Sequence, residues 1–125
     1  MSAQFAERAL KRLRRLVGQL PETSEKLSHG APFFWGGKKT FAAFHDGSYD
    51  EGRVGVWIKA PDGVQAELVG LDPQRFYRPK YLGPKGWVGV RLDADVDWDE
   101  VQELLVQGYR TVAPKRALKQ LDLED

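Results

Sequence analysis

The chain is 125 residues long, has no cysteine, and carries 19 Lys and Arg against 18 Asp and Glu. One domain is expected over residues 1–125, and 42% hydrophobic residues suffice for a real core. The missing cysteine excludes disulfides, iron–sulfur clusters, thiolate zinc sites and a cysteine nucleophile, and the net charge of +1 excludes a uniformly basic nucleic-acid binder.

The first segment places Phe5, Ala9, Leu13, Leu16 and Leu20 on one helical face. Ser2 fits an N-cap, and Gly18 with Pro21 ends the helix, predicted over residues 3–19. Arg8, Lys11, Arg12, Arg14 and Arg15 make its other face basic. They also interrupt the apolar run a signal peptide needs, and no stretch is long enough to span a membrane. The expectation is a cytoplasmic protein with no membrane role.

Short strands are predicted at Glu25–Ser28 and Phe33–Trp35, joined by the turn His29-Gly30-Ala31-Pro32. Lys39–His45 and Val54–Ile58 read as an antiparallel pair across a Gly-, Asp- and Ser-rich loop. Residues 61–69 suit a short helix, Arg75–Tyr77 a brief strand, and Trp87–Leu92 a further strand. Asp97 is the predicted N-cap of the next helix, with Glu100 completing a capping-box-like arrangement. Pro114 starts a last helix, and the tail Asp122–Asp125 is expected to fray. Strands cluster rather than alternate with helices, so the predicted class is α+β, an antiparallel sheet covered by helices on one face.

Four segments carry a family resemblance: Glu25–Phe34, Lys38–Ala42, Lys80–Val88 and Leu105–Lys115. With these in this order, the chain resembles the MmcQ/YjbR-like proteins over about residues 5–121. The resemblance implies a compact CyaY-like (frataxin-like) α+β fold and a double-wing DNA-binding arrangement. Iron chemistry by analogy with frataxin would need an acidic first helix, and this one is basic.

Residues 75–91 hold Arg75, Arg78, Lys80, Lys85 and Arg91 and no acidic side chain, with Phe76, Tyr77, Tyr81 and Trp87 interleaved. Such a block can neutralise phosphates and stack on bases, or can be a solvated loop with core aromatics. The DNA-binding expectation assigns phosphate contacts to Lys80 and Lys85, support to Arg78, and stacking to Tyr81 or Trp87. Lys38 and Lys39, after Gly36-Gly37, extend that surface from a neighbouring hairpin, without the context of a P-loop.

The alternative expectation is a cleft for a small ligand or protein partner, built from His29, Trp35 and Trp57. Trp35 and Trp87 flank glycine-rich turns and are expected to be partly exposed. His29 is chemically able to act as an acid or base; a turn histidine bonded to backbone is the commoner use. His45 with Asp46, Asp50 and Glu51 resembles a metal cluster less than it resembles turn chemistry. Asp93-Ala94-Asp95-Val96-Asp97 fails the EF-hand pattern, with Trp98 where Gly is required and Leu104 where Glu is required. No catalytic constellation and no cofactor fingerprint is present, so a non-enzymatic protein without a cofactor or metal is expected.

Overall fold

The computed structural model describes residues 3–48, 52–93 and 95–123. Along these run α1 (Ala3–Gly18), β1 (Thr23–Ser28), β2 (Ala31–Gly36), β3 (Lys39–Asp46), β4 (Val54–Ile58), α2 (Val64–Leu71), β5 (Phe76–Tyr77), β6 (Val88–Arg91), α3 (Trp98–Arg110) and α4 (Lys115–Leu123). The described strands form one antiparallel sheet in the order β1-β2-β3-β4-β6-β5. The class is α+β. Among the described residues, no helix is long and apolar enough to cross a membrane.

Side chains alternate across a strand. Ala42, Phe44, Val56, Ile58, Val88 and Val90 therefore share one face, where they form the main core with α1, α3 and α4. The first helix lays Ala6, Ala9, Leu13 and Val17 onto it. That stripe is centred one position on from the predicted one, with Phe5 and Leu16 as half-buried flanks. A bulge in β3 skips Phe41 between the pairs Phe34↔Ala42 and Trp35↔Thr40. Phe41 and Ala42 consequently both join the helix-side core.

Several predicted boundaries move. Ala31 and Pro32 belong to β2 rather than to the turn; β3 pairs with β2 only from Phe33 onward, so Pro32 occupies the strand's less demanding end. Pro61 to Gly63 form a turn, and α2 starts at Val64. Asp97 caps α3, accepting from the N–H groups of Asp99 and Glu100 at 3.1 and 3.2 Å. The other half of the expected box is replaced by an ion pair, Glu100 to Arg75 at 2.6 Å. The tail stays helical through Leu123, with Asp122 accepting from Arg110 at 2.8 Å. Ser2, Glu124 and Asp125 lie outside the described residues.

Candidate functional site on the second sheet face

The face away from the main core carries Ala43 and His45 of β3, Gly55 and Trp57 of β4, and Gly89 of β6. Tyr77 crosses it, and room for the ring exists only because positions 55 and 89 are glycine. A β-carbon at either would fall inside van der Waals contact of the Tyr77 side chain. The Trp57 indole N–H donates to the Tyr77 hydroxyl at 3.1 Å. His45 stacks on Trp57, with ring centroids 3.8 Å apart and planes inclined by 30°. The Arg53 guanidinium lies 4.1 Å from the Tyr77 ring centroid. Histidine, indole, phenol and guanidinium thus form one continuous polar-edged floor.

The connection from Arg78 to Trp87 folds over this floor instead of projecting from the sheet. Gln65 of α2 fastens it, donating to the carbonyls of Gly83 and Trp87 and accepting from Arg78 at 3.1 Å. Leu82 packs inward while Lys80, Tyr81 and Lys85 remain exposed. Trp87, expected to be partly exposed and able to stack, is instead buried with Ala43, Trp57 and Tyr77. Its ring fills the space beneath the loop, so it offers no free face.

Between this loop and the β1–β2 hairpin lies a cleft of about 600 Å³ lined by Ser28, His29, Phe33, Thr40, His45, Trp57, Tyr81 and Leu82. Among the described residues, no carboxylate lines it. Tyr81 is 75% exposed on its rim. Lys26 pairs in register with Phe33 and places its ammonium 5.6 Å from the Trp35 ring centroid. Of the predicted cleft residues, His29 and Trp57 meet here. Trp35 stands behind Phe33, centroids 6.3 Å apart, and does not line the cavity.

Ser28, Phe33, Thr40, His45 and Leu82 were not predicted to line it, and Tyr81 was expected only as a stacking residue for DNA. His45 was legible in principle, since strand alternation puts it beside Ala43 and opposite Phe44. Thr40 was not, because the bulge at Phe41 decides its side.

A second cleft, about 630 Å³, lies between the start of α1 and the other side of the hairpin, lined by residues including Glu7, Leu10, His29, Phe44, His45 and Asp46. The Ser48 hydroxyl and N–H donate to Asp46 and hold its carboxyl below the usual range. Among the described residues, no group of three or more His, Asp or Glu could hold a metal ion. Asp50 and Glu51 of the imagined cluster, and Ala94 of the acidic run, lie outside the described residues.

The basic block of residues 75–91 is partly neutralised in the fold. Arg75 pairs with Asp72 at 2.7 Å and with Glu100 at 2.6 Å. Arg91 donates twice to Asp93, at 2.9 and 3.1 Å. Lys38, Lys39, Lys80 and Lys85 are exposed, and among the described residues no carboxylate pairs with them. Register places the β2–β3 turn, which carries Lys38 and Lys39, and the start of the connection that carries Lys80 and Lys85 at the same end of the sheet, beyond the row Ala42–Ile58–Val88. Gly36 and Gly37 serve packing there, since β-carbons would press on Tyr109 and on Pro114. The basic face of α1 lies on the opposite side of the sheet, where Arg14 grips Glu25 and Arg12 covers Trp98.

Asp93 is the most enclosed partner in these pairs, with its side chain 5% exposed. Burial alone would raise its carboxyl. The Arg91 hydrogen bonds and charge, with the Val54 N–H, outweigh that and hold it below the ordinary range. A depressed native pKa means the contribution is complete above the unfolded value, about 3.9, and fades as pH falls through the native one. Asp93→Asn is expected to cost about 1 kcal/mol at pH 7, the half-exposed guanidinium limiting the loss. Urea titrations at pH 7 and pH 3 check this: the gap between variant and parent should shrink at pH 3.

Comparison with known proteins agrees with this architecture. The YjbR family model matches residues 18–111, from the end of α1 through α3. The crystal structure of Deinococcus radiodurans protein DR2400, which carries a DUF419 domain, is similar at a TM-score of 0.71. It is 24% identical, over 90% of this chain and 87% of that one. No curated protein matches the chain significantly. With the family match extending across the whole sheet and its principal covering helix, this chain belongs to the YjbR family.

Proposed function

We propose that the protein is a non-catalytic DNA-binding protein that contacts phosphates through Lys38, Lys39, Lys80 and Lys85. One observation carries the reading: these lysines lie on two connections that leave the same end of the sheet, are exposed, and have no carboxylate partners among the described residues. Unpaired ammonium groups release counterions from DNA on binding, whereas Arg75 and Arg91 are already engaged. The β2–β3 turn is the first basic connection, and the Arg78–Trp87 segment folded over the sheet face is the second. Arg78 positions the second through Gln65. Trp87 takes no part.

Titration of labelled duplex DNA at low and then raised salt tests the reading. Lys80→Ala is expected to weaken binding similarly on unrelated sequences and to lower the salt slope by about one. Absence of binding at low salt, or an unchanged slope in the variant lacking all four lysines, would overturn it.

A further inference from the structure

Some features of the second face are unused by a surface that only counts phosphates. Its cleft is walled by the rings of Phe33, Trp57 and Tyr81, and its polar groups are the hydroxyls of Ser28 and Thr40 and the two imidazoles. A volume near 600 Å³ lies within the range of small-ligand sites and suits one planar heterocycle with its sugar. The hydroxyls and imidazoles can each donate or accept, matching the mixed edge of a nucleobase. Among the described residues its lining has no carboxylate, while Lys26 pairs in register with Phe33 and the exposed Lys80 precedes Tyr81 in the chain, so an anionic ligand is favoured over a cationic one.

His29 has φ of 53° because it and Gly30, at 80°, are the two loop residues of the β1–β2 hairpin, a turn that takes positive φ at both positions. Tyr81, outside any two-residue hairpin loop, has φ of 65°, in the left-handed region that bulky residues seldom adopt. Such conformations concentrate where ligands are clamped. At position 81 the conformation accompanies a large aromatic ring left 75% exposed to water.

We propose that this cleft receives a single unpaired nucleobase, stacked against Tyr81 and Phe33, with its phosphate toward Lys80 or Lys26. The inference rests on the DNA-binding reading and narrows it to single-stranded nucleic acid. In a duplex the base faces are buried in the stack, whereas an unstacked base presents both its face and its edge. Free nucleotides share this chemistry.

The test compares a labelled 12-nucleotide single strand, the duplex of the same sequence and adenosine monophosphate as competitor. The parent protein is expected to bind the strand at least about tenfold more tightly than the duplex. Tyr81→Gly removes the ring while suiting the positive φ, and its melting temperature is measured beside its binding to confirm that it is folded at the assay temperature. It should weaken strand binding about tenfold and duplex binding less than about twofold, as loss of one stacked base implies. Thr40→Val, of similar shape, should weaken the monophosphate more than the duplex. Lys80→Ala should weaken strand and duplex alike.

Equal affinity for strand and duplex, with Tyr81→Gly inert on both, would overturn the base cleft and leave the phosphate surface standing. Failure to bind either polymer would overturn the DNA reading. In that case saturable monophosphate binding lost in Tyr81→Gly would support the cleft as a free-nucleotide site, and no monophosphate binding would overturn both.

Discussion

Gly89→Ala is expected to destabilise the protein by about 3 kcal/mol, at the upper end of ordinary overpacking costs. The added methyl would sit 2.7 Å from Tyr77 Cδ2 and closer still to neighbouring ring atoms. The ring has little freedom to retreat. Its hydroxyl accepts from Trp57, its face carries Arg53, and Gly55 lies under its far end. A displaced Tyr77 would uncouple β5 from β6 and remove support from the Arg78–Trp87 loop that walls the cleft. Urea denaturation gives the stability change. The Gly89→Ala/Tyr77→Leu double variant identifies its cause, because residues in contact should be non-additive. If Gly89→Ala costs as much in the Tyr77→Leu background as alone, ring overlap is not the reason.

The second large effect is expected on the helix side. Tyr109 of α3 is fully buried, meets Phe41 edge-to-face at 5.6 Å between centroids, and donates its hydroxyl to the Pro21 carbonyl. It therefore joins α3, the centre of the sheet and the segment that leaves α1. Tyr109→Ala should cost about 3–5 kcal/mol, the range for deleting a buried aromatic side chain. Tyr109→Phe keeps the ring and loses the hydroxyl donor, so about 1–2 kcal/mol is expected. Thermal and urea unfolding of both variants check the ratio. Equal losses would mean that the hydrogen bond, rather than the ring, dominates.

Much of the fold was legible because local signals agreed with the final packing. The uninterrupted apolar run Val54–Ile58 is what a strand buried on both sides requires. Asp97 could be identified as a cap because a short acceptor before an apolar helical face has one good use. The site was less legible. Glu100 has the spacing of a capping box, but a guanidinium from another part of the chain competes for its carboxylate. Trp87 stands beside a glycine-rich turn, yet that turn folds back and buries it. Nothing local reveals a chain reversal held by Gln65, 18 residues from one of its acceptors.

The near-neutral charge shows the same division. Counting along the chain is enough to show that neutrality is a sum of blocks, basic in α1 and in residues 75–91 and acidic in residues 93–103. The α+β class is legible in the same way, since hydrophobic periodicity is a local property. Which charges remain available is set by the folded chain. Arg75 and Arg91 find carboxylates, the connections that carry Lys38, Lys39, Lys80 and Lys85 leave the same sheet end, and α1 packs on the helix-side face. Ion pairing and proximity depend on distances through space, and those are set by strand order and register.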